Sequence, residues 1–233
     1  MKLLVTGTTG FVGNKIRESY AHATAAPSLQ KVTQEMVERM VEESEADVVL
    51  HTAAISDIGI CQKNPEASYF ANVQIPVYLA HACKVRKLIC FSSDQVYSAC
   101  EEDGPYTEEV VKPGNIYAEH KLEMEERVLD LVPSAVMLRA EWMYDYISQK
   151  PNYFLNMLHA EQQVSFSSRQ FRGITYLIVA AYFEEAVWNR GIAYISGAVL
   201  EVIGIYLGVC AAKDRKGRLF AAIVKIIEKN RDI

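Results

Sequence analysis

The sequence predicts an α/β fold: a parallel sheet with helices on both faces. Three observations carry that expectation. Short apolar runs alternate with helical patterns over the first 140 residues, the runs are continuous rather than polar-alternating, and each ends on small or polar residues. Those endings are Thr6-Gly7, Thr52-Ala53-Ala54 and Ser92-Ser93-Asp94. In open parallel sheets, ligands collect at the carboxyl ends of the strands, so the chemistry is expected along one edge.

Residues 2–6 (KLLVT) read as the first strand and run into Gly7, Gly10 and Gly13, a G-x-x-G-x-x-G spacing that opens an amphipathic helix. Glycines so placed let the backbone turn tightly and approach a pyrophosphate, with helix-start N–H groups aimed at the anion. Position between strand and helix favours dinucleotide binding over loop punctuation. Residues 22–27 (HATAAP) leave room for a short second strand. Its end offers neither an acid for ribose hydroxyls nor an Arg for a 2′-phosphate, only Ser28 and Lys31, so NAD and NADP both stay open. Thr33 is placed to N-cap a helix with apolar residues at 36, 37, 40 and 41. Residues 47–54 (DVVLHTAA) form the next buried strand. Asn64 as N-cap and Pro65 at the first helical position then open a helix reaching about residue 84. A strand over 87–92, a helix over 116–131 and a strand over 135–139 follow.

Beyond Ala140 aromatic and polar residues mix, as expected of a smaller segment closing over a ligand. A helix is expected over 175–188, a strand and turn at IAYISG, and a last helical region ending in a basic, solvated tail. The organisation expected is a nucleotide-binding domain over residues 1–140 and a small substrate-binding region over 141–233, intertwined with it.

The 233 residues are 50% hydrophobic and 23% charged, enough for a core and unlike a disordered chain. A formal charge of −5 removes the basic footprint of a general nucleic-acid binder. The five cysteines (61, 83, 90, 100 and 210) show no Cys-x-x-Cys or zinc spacing and read as small hydrophobes of a reducing compartment. A strand starting at residue 2, without a signal peptide's apolar core, makes the cytoplasm the expected location. Residues 191–212 are long and apolar enough to raise a membrane span, but their glycines fit a strand, a turn and a buried helix better, so no membrane is expected.

The stretch from Phe91 to Lys121 carries the candidate chemistry. A strand delivers Ser93, and a polar loop leads to Tyr117 and Lys121, one turn apart on a helix. A phenol with an ordinary pKa of about 10 is a poor acid near neutrality, and a nearby ammonium would lower that value. A solvated helix face is the plain alternative for such a pair. Ser93 and the glycine turn on the same sheet edge favour chemistry.

TGTTGFVG, HTAA, CQKNPEASYFANV, SSDQVY, PYTEE and YAEHK, in this order, resemble the extended short-chain dehydrogenase/reductase superfamily. Within it the chain is most similar to dTDP-4-dehydrorhamnose reductases and their sugar-nucleotide-binding relatives, over residues 1–197. The resemblance implies a Rossmann-like doubly wound parallel sheet with a small C-terminal substrate-binding region, and NADP or NAD as cofactor. It assigns cofactor binding to Gly7, Thr9, Gly10, Phe11, Val12, Gly13, Ala53, Ala54 and Ser92 together with Tyr117 and Lys121. It makes Ser93, Tyr117 and Lys121 the catalytic set, and Ser56, Asp94, Gln95, Trp142 and Gln170 the substrate contacts. No metal is implied. RAEWMY resembles the family's Arg-Thr-Ser-Trp-Val-Tyr, and SSRQFRGITY its Asp-Gln-x-Gly-x-Pro-Thr segment, matching at Gln170, Gly173 and Thr175.

The implied reaction is reduction of a 4-keto-6-deoxy sugar nucleotide: hydride from the nicotinamide, a proton from Tyr117, the phenol tuned by Lys121 and the carbonyl oriented by Ser93. The expected partner is a dTDP-sugar, and a homodimer is the assembly to expect first, as the commonest among soluble homo-oligomers. The chain departs from the family at Gln95, where an aromatic often stands, at Ala140-Glu141 in place of Thr-Ser, in the short stretch before Thr33, and after Gly197. Those departures keep two alternatives in view: a sugar-nucleotide epimerase or dehydratase, and a non-catalytic cofactor-binding regulatory or scaffold subunit.

Overall fold

The computed structural model describes residues 2–20, 22–102, 106–144, 174–176 and 191–194. Among the described residues the main sheet has six strands: β1 (Leu3–Thr6), β2 (Ala23–Ala25), β3 (Val48–His51), β4 (Lys87–Ser93), β5 (Val136–Ala140) and β8 (Gly191–Tyr194). All pair in parallel, in the order β2-β1-β3-β4-β5-β8. The chain steps from β1 to β2 on one side, then crosses back to β3 on the other. The carboxyl ends of β1 and β3 therefore flank the point where strand order reverses, the crevice in which such sheets hold ligands. A separate two-stranded ribbon pairs β6 (Trp142–Tyr144) with β7 (Ile174–Tyr176).

Alternation along the strands builds two cores. Leu3, Val5, Val48, Leu50, Ile89, Phe91, Val136 and Leu138 face α1 (Phe11–Ser19) through Ile16. Leu4, Val49, Leu88, Cys90 and Met137 face the opposite layer. That layer is α2 (Gln34–Glu43), α5 (Ile75–Ala82) and α6 (Ile116–Leu131), with Val37, Val41, Leu79, Met124 and Val128 pointing inward. Strands buried on both faces explain their unbroken apolar runs. The doubly wound parallel sheet thus stands as expected.

Helix starts follow their caps: Thr33 Oγ1 accepts from Met36 N at 3.4 Å and Asn115 Oδ1 from Ala118 N at 2.9 Å. Two expectations need correction. The helix expected from residue 65 to about 84 is α4 (Pro65–Tyr69), a π-helical segment (Phe70–Gln74) and α5. Pro76 has no N–H for the carbonyl four residues back, and its ring would crowd that carbonyl. The backbone widens instead, with Ile75 N bonded to Phe70 O. A short helix, α3 (Ile58–Lys63), capped by Asp57, precedes α4. The helix expected over 175–188 begins wrongly: Thr175 is in β7, where its neighbours Ile174 and Tyr176 pair with Trp142 and Tyr144. Its remaining positions, 177–188, lie outside the described residues.

The third strand also ends earlier than expected, at His51. Beyond it the backbone N–H groups of Thr52 and Ala53 turn to the Thr6 hydroxyl, at 3.2 and 3.4 Å. The sixth strand of the sheet comes from residues 191–194, beyond position 140. Among the described residues no helix is long and apolar enough to cross a membrane.

Candidate active site

The glycine turn is built where β1 leaves the sheet. Gly7 has φ +70°, in the left-handed region, and a Cβ there would come within 2.7 Å of Ala53 N. Gly10 N donates to Gly7 O at 2.9 Å, closing the turn, and Gly10 is the N-cap of α1. No acidic residue stands in the first turn of that helix, so its N–H groups and dipole face an anion without competition from a carboxylate there. Gly13 lets helix and strand close: a Cβ would lie 2.4 Å from Gly7 O and 2.6 Å from Thr52 Oγ1. This cradle fits a dinucleotide pyrophosphate. Gly13→Ala is expected to displace the Gly7 carbonyl and weaken NADPH binding by about ten-fold or more, measured by fluorescence titration.

Thr6 fastens the two strand ends together. Its Oγ1 accepts from Thr52 N and Ala53 N and lies 2.8 Å from His51 Nδ1, while Thr52 Oγ1 donates to Thr6 O at 2.6 Å. His51 is buried, and desolvation with the nearby Lys121 charge pulls its pKa down to about 3. The imidazole is therefore neutral.

Ser93, Tyr117 and Lys121 meet beside this turn. Ser93 ends β4 and N-caps the short 3₁₀ turn Asp94–Tyr97; its Oγ accepts from Gln95 N at 3.2 Å and donates to Asp94 Oδ1 at 3.0 Å. Tyr117 sits in the first turn of α6, held there by the Asn115 cap. Lys121, one turn on, is buried, and its Nζ donates to Phe91 O of β4 at 2.8 Å. Nζ lies 5.8 Å from the centre of the Tyr117 ring.

The electrostatics differ from the sequence expectation in one respect. Burial pushes the Tyr117 phenol well above its ordinary range, opposed by a hydrogen bond with Ser93 and helped by Asp94 and Cys61. Lys121, whose ammonium is engaged with the Phe91 carbonyl, does not lower it. Burial in turn brings Lys121 down to about 8, against Cys90, Glu125 and Cys61. A phenol kept protonated is the form a proton donor needs at rest.

The other sequence-selected residues are placed as follows. Thr9 is exposed in the turn, Phe11 and Val12 are half-buried in α1, Ala53 is half-buried, and Ala54 and Ser56 are exposed on the loop after β3. Ser92 is buried, one residue from Ser93 and so on the opposite face of β4; its hydroxyl has no hydrogen-bond partner among the described residues. Gln95 is buried, with Oε1 accepting from Asn115 Nδ2 at 3.4 Å and Nε2 within 3.5 Å of Asp94 Oδ1. Trp142 begins β6, next to the sheet's Ala140. Gln170 and Gly173 lie outside the described residues. Among the described residues no group of three His, Cys, Asp or Glu could hold a metal.

Sequence reasoning passed over His51, Asn72 and the buried Arg139–Glu125 pair. Each left a trace: a polar residue inside a run that is otherwise wholly apolar, or inside a helix that should be buried.

The family model of the RmlD substrate binding domain matches residues 1–192. The chain belongs to the RmlD substrate binding domain family. A dTDP-4-dehydrorhamnose reductase of Mycolicibacterium smegmatis is 31% identical over 152 residues, 61% of this chain and 46% of that protein. Methionine adenosyltransferase 2 subunit beta of Rattus norvegicus is 27% identical over 180 residues, 70% of this chain and 53% of its own length. The chain thus spans about half the length of these curated relatives. Among solved structures, the dTDP-4-dehydrorhamnose reductase of Bacillus anthracis in complex with NADP superposes with a TM-score of 0.74. That likeness covers 84% of this chain and 75% of the other at 21% identity, and shows that the RmlD-family chain shares its fold.

Proposed function

We propose that this chain is an NAD(P)H-dependent reductase of a 4-keto-6-deoxy sugar nucleotide. The observation that carries the reading is the meeting of Ser93, Tyr117 and Lys121 at the carboxyl edge of the sheet, beside a glycine turn at the strand-order reversal. When bound, the nicotinamide supplies the hydride. The chain's own residues do the remainder: Ser93 donates a hydrogen bond to the keto oxygen, and Tyr117 Oη gives it the proton. Lys121 holds positive charge close to the phenol as the proton leaves. Asp94 and Ser56 are placed to contact the sugar, with residues 141–233 supplying the rest of the substrate region.

No carboxylate occurs between Glu18 and Glu35, so a 2′-phosphate at the end of β2 would meet no like charge, and Lys31 is the nearby cation. NADPH is accordingly the first cofactor to test, with NADH beside it. The assay mixes protein, cofactor and dTDP-4-keto-6-deoxy sugar and follows cofactor oxidation. Absence of turnover with every keto-sugar nucleotide and both cofactors would refute the reading. The similarity to methionine adenosyltransferase 2 subunit beta favours a second reading, a cofactor-binding regulatory subunit. Tight cofactor binding without turnover would select it.

A further inference from the structure

Two side-chain amides join the pieces of chain that carry Ser93 and Tyr117. Ser93 and Asp94 stand where β4 ends, and Tyr117 lies two residues past Asn115, the N-cap of α6. Gln95 is buried and reaches both sides. Its Nε2 donates to Asp94 Oδ1 at 3.5 Å, and its Oε1 accepts from Asn115 Nδ2 at 3.4 Å. Both bonds are long, and each is one of two at its far end. Asp94 Oδ1 also accepts the Ser93 hydroxyl at 3.0 Å, and Asn115 Nδ2 also donates to Ser98 Oγ at 3.4 Å.

The outer partners set the orientation of both amides. The Ala118 N–H only donates, so Asn115 presents Oδ1 to it at 2.9 Å and turns Nδ2 toward Gln95. An ionised carboxylate only accepts, so Gln95 presents Nε2 to Asp94 and Oε1 to Asn115. Both ends call for the same setting of the Gln95 amide. The Gln95 backbone N–H adds a third hold, donating to Ser93 Oγ at 3.2 Å. One residue thus grips Ser93 by its main chain, and Asp94 and Asn115 by its side chain.

We propose that Gln95 is a positioning residue for the reduction, acting through Asp94 on Ser93 and through Asn115 on the start of the helix that carries Tyr117. The proposal rests on reading Ser93 and Tyr117 as parts of a reductase site. In the structure the Ser93 hydrogen is given to Asp94 Oδ1, whereas reduction asks it to meet the keto oxygen. When that hydrogen turns away, Asp94 Oδ1 still accepts from Gln95, which lowers the cost of the turn. At the other end, Gln95 gives Asn115 Nδ2 an acceptor while Asn115 Oδ1 caps the helix, tying the first turn of α6 to the end of β4. A buried amide engaged at both ends serves geometry rather than the substrate contact that resemblance implies for it.

Gln95→Met keeps the length of the side chain and removes both of its bonds. Asp94 Oδ1 and Asn115 Nδ2 each keep their second partner, so the full chain should still fold. Amide exchange by NMR, read without substrate at position 95 and at Ala118, is expected to speed up by about three- to ten-fold, the worth of one hydrogen bond. In keto-sugar reduction, kcat and kcat/KM are expected to fall together by about the same factor, with KM held. Asn115→Asp keeps the cap but faces Gln95 with a second acceptor, so the amide can donate to one neighbour only. It should lower kcat in the same way, and its loss combined with that of Gln95→Met should fall short of adding. A raised KM at constant kcat, unchanged exchange at both amides, or fully additive losses would overturn the proposal. Faster exchange in Gln95→Met, with no turnover of any keto-sugar nucleotide by the wild type, would overturn the reductase reading instead.

Discussion

Tyr117→Phe is expected to lower keto-sugar reduction by about 10²- to 10⁴-fold, the usual contribution of a positioned general acid. The ring stays, so the packing that buries position 117 stays with it, and the urea midpoint should move little. The pH profile adds an independent check. Tyr117 is pushed up by burial and holds its proton through neutrality, whereas Lys121 is brought down to about 8. For a lysine lowered from its ordinary value, the ammonium is present below that pH and lost above it. Since kcat/KM reports the free enzyme, it should fall as pH rises through about 8, and the limb should vanish in Lys121→Met along with most of the activity. A Tyr117→Phe protein that reduces the substrate at the wild-type rate would remove Tyr117 from the chemistry.

The second large effect concerns stability. Arg139 of β5 and Glu125 of α6 are both fully buried; Arg139 Nε donates to Glu125 Oε1 at 2.9 Å. The other guanidinium nitrogens extend the network, Nη1 donating to Tyr97 Oη and Glu108 O, each at 2.7 Å. Glu125→Ala would strand a guanidinium in the core, at a cost of about 3–5 kcal/mol by urea denaturation. The double replacement Glu125→Leu with Arg139→Met removes both charges and should recover most of that loss. It leaves Tyr97 and the Glu108 carbonyl short of a donor, so recovery is incomplete. If the single and double variants are equally unstable, the cost lies in Arg139's other bonds rather than in the stranded charge.

Much of this architecture was legible because parallel strands announce themselves by composition. LLVT, VVLH and LICF can only be buried on both faces, and Asn115 and Thr33 mark their helix starts by chemistry that acts within three residues. The candidate site was legible for a related reason: strand ends in such sheets converge, so Gly7, Ala53 and Ser93 meet without any long-range information. What the sequence hid was set by contacts far apart in the chain. The early end of β3 depends on a hydroxyl 46 positions away, and β7 exists because Trp142 to Tyr144 are there to pair with it. The raised phenol of Tyr117 has the same origin, since desolvation is a property of the packed surroundings and spacing alone shows only the neighbouring lysine.

The placement of β8 has a consequence for how the chain is made. During synthesis β5 emerges as the edge of a five-stranded sheet, an apolar strand with its outer row of backbone groups unpaired, and it remains so until residues 191–194 arrive. For that interval Val136–Ala140 is an open template for another nascent chain. A message or protease that stops the polypeptide before Gly191 would leave that edge permanently bare, so shortened products should aggregate where longer ones stay dispersed.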